Sequence, residues 1–501
     1  MQPRYADTAT FVSWQTEGSN CSAILQSTKM GTAEHMSGVD RAWLLMDHPT
    51  NPMIVVGLLV LESGVERAQL RDLVAERFLV FQRFRRFPLA DVLGASWVES
   101  VQFDIEDHIF CTALPAPAGQ RELETLLGEL AGTPFNPEKP RWSFHLVQHY
   151  RGGSALIVRI HHCYADGMAL VQVLLSLCSN SSTAQGSPSR ASASLESEGL
   201  TRLIPSSISD ALREGANLLE SGIHYLLHPA EASTAAREAL GFAGELAHIA
   251  TLSDDPVTRL KRPLSGARRA AWASTLSLEE VRTLGHLLGC TVNDILVSTL
   301  AGALGRYLTH EGDDITGLTI RATVPVNLRA ADDGSALGNR FGLVFVELPI
   351  GIRHPLERLC AVHDTMQKLK SSSQALATFA LLSVIGTLPA AVEPPAIAIF
   401  SAKASLVASS LPGPHEPLLF AGSPISQLLF WVPQAGSIGT GISMFTYRGQ
   451  VQLGVIADRQ LISHPADLIA EIGAEFERLV FLVLLGAGSL LEPGSIESSL
   501  R

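Results

Sequence analysis

Residues 154–167 read SALIVRIHHCYADG, and the other features of the chain can be arranged around this stretch. Its first seven residues form a mostly apolar run typical of a buried strand, and His161 and His162 follow directly. Asp166 and Gly167 then indicate a turn, and a helical pattern begins at Gly167. Functional groups of α/β proteins often lie where a strand ends and the chain turns into a helix. The stretch therefore predicts an α/β fold with a functional site at this turn.

The residue types at the turn favour acid–base chemistry. Histidine has the side-chain pKa nearest to neutrality, which a general base requires. Asp166 could orient an imidazole or hold the loop through an arginine, and Gly167 would permit a backbone conformation that a side chain penalises. Adjacent histidines also suit a structural or metal-binding role, but no HExxH or Cys/His set accompanies them, so we expect no metal. A nucleophilic Cys163 is a further, less favoured interpretation.

Strand and helix patterns alternate on both sides of this stretch. In the first half, strands are predicted at 53–61, 142–149 and 154–160, and helices at 67–79, 121–130 and 167–177. In the second half, helices are predicted at 277–288 and 293–308, and strands at 318–326, 342–349, 441–447 and 450–457. The similar texture of the halves indicates a pseudo-duplicated α/β architecture.

The composition changes sharply between the halves. Residues 179–198 contain eight serines and almost no large apolar residues, which predicts a linker. Apolar residues at helical spacing follow at 204–226 and 242–249, and these helices could bridge the halves or lie on a membrane. We therefore divide the chain into an unassigned extension (1–36), a first domain (37–180), a serine-rich and helical linker (181–270) and a second domain (271–501).

Composition limits the classes of partner. Hydrophobic residues make up 46% of the chain and charged residues 17%, and the mean hydropathy is +0.22. These values imply large buried faces, an apolar cavity or a surface that contacts lipid. A net charge of −12 disfavours nucleic acid as a partner. The six cysteines form no Cys-x-x-Cys pair, which argues against a zinc site or a disulfide scaffold.

Five segments bear on membranes and anionic ligands. The N-terminal residues lack the basic and apolar pattern of a signal peptide. Residues 376–392 are predicted as a buried or interfacial helix, and the apolar residues 479–485 as a core helix or a lipid contact. Two basic clusters, at 77–86 and 259–269, fit a solvated surface, or alternatively a site for thioester nucleotide phosphates or lipid headgroups.

Further motifs occur in order from about residue 37 to 470. Together with His161-His162-x-x-x-Asp166-Gly167 they resemble the bacterial wax ester synthase/diacylglycerol acyltransferase family, within the superfamily of chloramphenicol acetyltransferase and condensation domains. The motifs are Asp40-Arg41-Ala42-Trp43, Asn51-Pro52-Met53, Pro140-Arg141-Trp142, Thr291-Val292-Asn293-Asp294, Val324-Pro325-Val326-Asn327-Leu328-Arg329 with Gly338-Asn339, Ser409-Ser410-Leu411-Pro412-Gly413-Pro414, and Tyr447-Arg448-Gly449 with Asp458. The chain departs from the family pattern at Arg141, where leucine is usual, and at Ser410, where asparagine is usual.

The resemblance implies two chloramphenicol-acetyltransferase-like domains, each a mixed sheet flanked by helices, with the active site in a tunnel between them. It also implies an acyl-CoA-dependent O-acyltransferase that acylates diacylglycerol, a long-chain alcohol, or both. The products would be triacylglycerol, wax ester, or both. No cofactor would be needed beyond acyl-CoA as co-substrate. The enzyme would be cytoplasmic and peripherally associated with the inner membrane or with lipid inclusions.

The resemblance also assigns roles to residues. His162 would be the general base, with His161 and Asp166 in support, and Gly167 would keep the acyl channel open. Asn293 and Asp294 could position substrate or cap a helix. Arg321 would be the partner of Asp166, and Trp142 a supporting residue.

Two other functions are compatible with these motifs. The first is a condensation-type acyltransferase that takes its acyl group from a carrier protein. The second is an inactive homologue that coats lipid droplets, although both histidines and Asp166 of the motif are present. The sequence sets neither the oligomeric state nor the choice of acyl chain and alcohol.

Overall fold

The computed structural model describes residues 34–90, 94–180, 244–245, 247–329, 337–387 and 393–486. The predicted extension, most of the serine-rich segment and the predicted helix at 204–226 lie outside these residues. The strands are β1 Glu34–His35, β2 Ile54–Leu61, β3 Arg86–Ala90, β4 Ala95–Glu99, β5 Ile109–Thr112, β6 Trp142–Tyr150, β7 Gly153–His161, β8 Cys178–Asn180, β9 Arg268–Ser277, β10 Ile320–Asn327, β11 Phe341–Leu348, β12 Leu406–Leu411, β13 Leu418–Phe420, β14 Ser423–Trp431, β15 Thr440–Tyr447 and β16 Gln450–Asp458.

The α-helices of the described residues lie mainly on the faces of these sheets. They are α1 Gly38–Leu45, α2 Arg67–Leu73, α3 Gln120–Gly132, α4 Gly167–Ser176, α5 Leu278–Leu288, α6 Val292–His310, α7 Pro355–Lys370, α8 Gln374–Ile385, α9 Glu393–Ala402 and α10 Pro465–Gly486. Residues 244–245 and 247–251, in the region of the predicted helix at 242–249, are also helical. A π-helical turn, Val74–Phe78, continues α2, so the predicted helix at 67–79 has two parts.

Two large mixed sheets form the framework. The first has seven strands in the order β5-β6-β7-β2-β14-β13-β8, and the second has six in the order β11-β10-β12-β15-β16-β9. The central strands β2 and β7 are buried along their whole length, which explains their continuous apolar sequences. A small third sheet, β1-β4-β3, completes the set among the described residues.

The two large sheets repeat one arrangement of strands. In the first, β2 pairs with β7, β7 with β6, and β6 with the parallel β5; in the second, β9, β16, β15 and β12 pair in the same way. The β6–β7 and β15–β16 turns even share a Tyr-Arg-Gly sequence, and Arg151 and Arg448 both have positive φ. The prediction of an α/β fold in two similar halves is confirmed.

The sheets do not follow the order of the chain. Strand β14 comes from the second half of the sequence but pairs with β2 of the first sheet, where Leu428 lies opposite Leu59. Strand β14 is also adjacent to β15 and β16 of the second sheet. A division of the sequence at residue 271 therefore does not coincide with the division between the sheets, because β13 and β14 cross over to the first one.

Helix α8 covers the free edge of the second sheet. The N–H groups of Leu343 and Phe345 in the edge strand β11 donate to Thr378 Oγ1 (2.7 Å) and Gln374 Oε1 (2.6 Å) of this helix. The approach is close because a Cβ on Gly342 would lie 1.8 Å from the carbonyl oxygen of Ala375. Helix α8 corresponds to the predicted helix at 376–392 and is partly buried.

No single helix among the described residues is both long and apolar enough to cross a bilayer. Helices α5 and α6, which meet at a bend of 101°, reach that length and apolar composition only when they are counted together. The apolar residues 479–485 lie in α10, where Leu479 and Val483 are buried but Phe481, Leu484 and Leu485 are 60–69% exposed.

Candidate active site

His162 lies between the two large sheets, directly after β7 and before α4. It lines a mainly apolar cavity of about 1070 Å³, a volume that includes the opening to solvent. Strands of the second sheet and helices α8 and α9 form much of the wall. Lining residues include Trp43, Gly167, Thr323, Asn327, Phe341, Leu343, Leu382, Ile385, Ile397, Phe400, Ser401, Val407, Ser410 and Val432.

The ring of His162 packs between aromatic side chains. Its centroid is 4.4 Å from that of Trp43 at an interplanar angle of 27°, and 5.4 Å from that of Phe341. Its Nδ1 atom is buried and has no hydrogen-bond partner among the described residues. Burial lowers the pKa of His162 to about 4, although the nearby charge of Asp166 opposes this shift. The imidazole is therefore neutral at pH 7.

The backbone of His162 is held from both sides. Its N–H donates to the carbonyl of Met53 (2.8 Å), which precedes β2. Its carbonyl accepts from Asn339 Nδ2 (2.9 Å), which precedes β11 of the second sheet. Asn339 is in turn fixed by Asp40 Oδ1, which accepts from its amide nitrogen (2.8 Å) and its backbone N–H (3.0 Å). Burial raises the pKa of Asp40, while Arg83 and Asn339 oppose the rise.

His161 points away from the cavity and anchors the turn. Its Nδ1 accepts from the backbone N–H of Cys163 (3.2 Å), so we assign the proton to Nε2, which lies 3.3 Å from Asp47 Oδ2. Arg141 Nη1 is 3.5 Å from the same oxygen. Burial lowers the pKa of His161, and Asp47 opposes this shift. Arg141, which stands where the family motif usually has leucine, thus lies beside the contact between Asp47 and His161.

Asp166 forms a buried ion pair and caps α4. Its Oδ1 accepts from the N–H of Ala169 (2.9 Å), and its Oδ2 accepts from Arg329 Nη2 (2.7 Å) and Nε (3.0 Å) and from the N–H of Arg340 (3.0 Å). The prediction that Arg321 is the partner of Asp166 is wrong. Arg321, in β10, instead pairs with the buried Asp255, with Nη1 3.4 Å from Oδ1.

Gly167 lines the cavity without an unusual backbone. It is absent from the glycines with positive φ, so the prediction of a glycine-specific conformation is wrong. A Cβ at this position would lie 3.4 Å from Val432 Cγ1, on the opposite wall of the cavity. A side chain there would therefore occupy space beside His162.

The Asn-Asp motif lies behind the cavity wall. Asp294 caps α6 by accepting from the N–H of Thr291 (2.8 Å), and its Oδ2 lies 2.9 Å from His363 Nδ1. Asn293 Oδ1 accepts from the hydroxyl of Ser410 (3.0 Å), which lines the cavity. Capping thus accounts for Asp294, whereas Asn293 supports a residue of the wall.

Trp142 and Cys163 do not line the cavity. Trp142 stacks on His108 at 4.1 Å, and its indole N–H donates to the carbonyl of Phe84 (2.8 Å), so it belongs to an aromatic core. Burial raises the pKa of Cys163 well above its ordinary value, which leaves no thiolate for nucleophilic attack. No group of three potential metal ligands occurs among the described residues.

Most side chains of the two basic clusters bind other groups of the protein. Arg259 pairs with Glu311 and Asp313, and Arg268 donates to Asn51 and to the carbonyl of Gly439. Lys261 donates to the carbonyls of residues 401 and 404. In the other cluster, Arg77, Arg83 and Arg86 also bond to protein groups. These cations therefore stabilise the fold, and only Arg262 and Arg269 of the second cluster are exposed.

Among the residues at the site that received no role from the sequence are Trp43, Asn339 and Arg329. Each belongs to one of the motifs identified above, so a signal was present. A motif singles out positions in the sequence, but it does not show which side chains contact each other across the two sheets.

Comparison with known proteins identifies two matching family models. Residues 36–296 match the wax ester synthase/diacylglycerol acyltransferase catalytic domain, and residues 337–480 match the WS/DGAT C-terminal domain. A Mycobacterium tuberculosis H37Rv protein named as a diacylglycerol O-acyltransferase, tgs1, is 26% identical over 413 residues, covering 80% of this chain and 84% of that protein. A second such protein from this strain is 27% identical over 484 residues, with coverage of 91% and 92%.

Solved structures share the fold. The wax ester synthase/diacylglycerol acyltransferase of Marinobacter aquaeolei VT8 superimposes with a TM-score of 0.61 at 20% identity, covering 89% of this chain and 98% of that one. The starter condensation domain of rhizomide synthetase, in complex with C8-CoA and Leu-SNAC, gives a TM-score of 0.52 at 17% identity, with coverage of 96% and 99%.

The Asp166–Arg329 pair predicts a stability effect. Asp166→Ala would remove the carboxylate partner of the buried Arg329 guanidinium and the cap of α4, so we expect a loss of about 3–5 kcal/mol in unfolding free energy, together with lost activity. Arg329→Ala should cost a similar amount, and the double variant less than the sum. Urea denaturation measures these values.

Glu62→Ala is the control, because it removes one partner of the exposed Glu62–Arg448 pair, for which we expect a change of about 0–1 kcal/mol. An Asp166→Ala protein that is inactive but as stable as the wild type would contradict the structural role and give Asp166 a direct one.

Proposed function

The chain belongs to the wax ester synthase/diacylglycerol acyltransferase family, and from this premise we propose that it transfers a long-chain acyl group from acyl-CoA to a hydroxyl group. The acceptor is diacylglycerol, a long-chain alcohol, or both, so the product is triacylglycerol, wax ester, or both. The observation that carries the proposal is a neutral imidazole, that of His162, on the wall of an apolar cavity. The names of the mycobacterial relatives support diacylglycerol as an acceptor.

The proposed reaction needs one base and no covalent enzyme intermediate. The hydroxyl gives its proton to Nε2 of His162 as its oxygen attacks the thioester carbonyl. The tetrahedral intermediate then expels the coenzyme A thiolate, which takes the proton back from the imidazolium. The C–O ester bond forms, the C–S bond breaks, and coenzyme A leaves as the thiol. Burial makes the imidazolium more acidic than an exposed one, which favours this return of the proton.

The cavity wall suits lipid substrates. Leu382, Ile385, Ile397 and Phe400 of α8 and α9 offer an apolar surface to acyl and alkyl chains. A few polar side chains, including Thr323, Asn327 and Ser410, offer hydrogen bonds near the reacting groups. A cavity filled by the two chains would exclude water, and this would limit hydrolysis of the thioester.

We expect His162→Ala to lower turnover by about 10²–10⁴-fold, the usual effect of losing a general base. Purified protein, palmitoyl-CoA and either dioleoylglycerol or hexadecanol are incubated, and the neutral lipids are resolved. His286→Ala is the control, because this histidine is exposed on α5. Near-wild-type turnover of His162→Ala would remove His162 as the base. Transfer from an acylated carrier protein but not from palmitoyl-CoA would favour the condensation-type alternative, and no transfer at all would favour the inactive homologue.

The pH dependence of kcat/KM provides a second test. A base with the ordinary histidine pKa of about 6.5 would lose about tenfold in activity between pH 7.5 and 5.5. Because burial lowers the pKa of His162 to about 4, the base stays deprotonated between pH 7.5 and 5.5. We therefore expect kcat/KM to fall by less than about twofold over this range. An acid limb with an apparent pKa near 6.5 would contradict the buried, neutral base.

Stability must be followed in the same experiment. The unfolded chain binds a proton at His162 near pH 6.5 and the folded chain only near pH 4, so the stability present above pH 6.5 is lost as the pH falls through this window. Circular dichroism at each pH separates this loss of folded protein from titration of the base.

The protein is further proposed to work in the cytoplasm, at the surface of the inner membrane or of a lipid inclusion. Phe481, Leu484 and Leu485 at the end of α10 support this, because their spacing puts three exposed apolar side chains on one helix face. The basic cluster at 259–269 gives little support, since most of its cations are paired internally.

Flotation with liposomes tests the surface association. We expect the wild type to float, and a triple serine variant at Phe481, Leu484 and Leu485 to float less, because it lacks the apolar face. Val257→Ser is the control. Val257 is 92% exposed but lies outside α10, so this variant should float like the wild type. Wild-type protein that stays at the bottom with anionic and neutral vesicles, at low and high salt, would rule out the association.

A further inference from the structure

Among the described residues, no carboxylate accepts a hydrogen bond from the imidazole of His162, as commonly happens for a histidine base. The charge of Asp166 influences the ring, but both oxygens of Asp166 are used by Arg329, Ala169 and the N–H of Arg340. Asp47 contacts His161 instead. The side chain of Asn339 and the carbonyl of His162 itself favour the protonated imidazole, but no described residue meets hydrogen-bond geometry at Nδ1, so packing must also fix the orientation of the ring.

Aromatic stacking takes this place in the structure. The rings of Trp43, His162 and Phe341 are in mutual contact, and Trp43 stacks closest to the imidazole, at 4.4 Å and 27°. Trp43 is itself buried, with 5% of its surface exposed. A nearly parallel indole at this distance restricts rotation of the imidazole about its χ angles.

Helix α1 presents Trp43 from a fixed platform. Asp40 lies three residues earlier on the same helix and, through Asn339, holds the carbonyl of His162. Ser37 caps the helix by accepting from the N–H of Asp40. The backbones of α1 and of the residue after α8 are in close contact, since a Cβ on Gly386 would lie 1.7 Å from the carbonyl oxygen of Gly38. One helix thus meets both the backbone and the ring of His162.

We propose that Trp43 is the positioning residue of the general base: its indole sets the plane of the His162 ring and keeps Nε2 directed into the cavity. This inference rests on the proposed function, because it assigns to Trp43 an effect that acts through His162. A tryptophan here performs by stacking the orienting task that a carboxylate performs by hydrogen bonding in other histidine bases.

The experiment compares Trp43→Leu, Trp43→Phe and Trp272→Leu. Trp272 is also a buried tryptophan, 2% exposed, but it packs against Trp431 outside the cavity lining, so it controls for the loss of a buried indole. We expect kcat of Trp43→Leu to fall about tenfold relative to Trp272→Leu, the scale of one aromatic pair. The loss should lie mainly in kcat rather than in KM for palmitoyl-CoA, and phenylalanine should restore part of it.

A double-variant cycle separates positioning from a merely structural effect. If Trp43 acts through His162, adding Trp43→Leu to His162→Ala should leave the residual turnover unchanged, as measured with radiolabelled palmitoyl-CoA. Equal fractional losses in both backgrounds, or a Trp43→Leu protein with the kcat of Trp272→Leu, would overturn the inference. Failure of the proposed function looks different, because the wild type would then show no transfer from palmitoyl-CoA, or His162→Ala would retain near-wild-type turnover by itself.

Discussion

Two hydrogen bonds to the backbone of His162 connect the two halves of the molecule at the proposed base. Met53, at the start of the central strand of the first sheet, accepts from the N–H, and Asn339, at the start of the edge strand of the second, donates to the carbonyl. The histidine is therefore fixed only when both sheets are in place. Asp40, which holds Asn339, and the Asp166–Arg329 ion pair extend the same connection between the first sheet and residues that flank β10 and β11.

The fold places the imidazole of His162 on the wall of an apolar cavity, where protonating the ring costs free energy. Burial disfavours the imidazolium, and the nearby carboxylate of Asp166 is already neutralised by Arg329. The neutral imidazole then lies against an apolar wall, and in the proposed reaction its charged form exists only transiently. Such a site suits a reaction in which the proton is taken from an uncharged alcohol and handed on to a leaving thiolate.

The sequence predicted the parts of this structure whose signal is local. The continuous apolar runs of β2 and β7 and the turn from His161 to Gly167 were identified from residues that are neighbours in the chain. Strands β9, β12 and β14 were not predicted, because small and polar residues interrupt their apolar patterns. The crossing of β14 into the first sheet also has no local signal, since strand pairing depends on partners more than 360 residues apart.

The site shows the same limit. His162, Asp166 and Gly167 come together because they share one turn, and the family resemblance marked them. The partner of Asp166 was assigned to Arg321, whereas Arg329, eight residues later and beyond the end of β10, makes the contact. The spacing of residues along β10 does not show which end of this strand lies near Asp166. The stacking of Trp43 on His162 likewise requires the packing of α1, which only the three-dimensional arrangement supplies.

We propose that the acyl chain lies in the cavity between the sheets, beside His162. Photolabelling with a palmitoyl-CoA analogue that carries a diazirine on its acyl chain, followed by peptide mass spectrometry, tests this position directly. We expect labels on cavity residues of α8 and α9, such as Ile385, Ile397 and Phe400, that unlabelled palmitoyl-CoA suppresses. Suppressible labels confined to surfaces outside the cavity, such as the exposed end of α10, would contradict it.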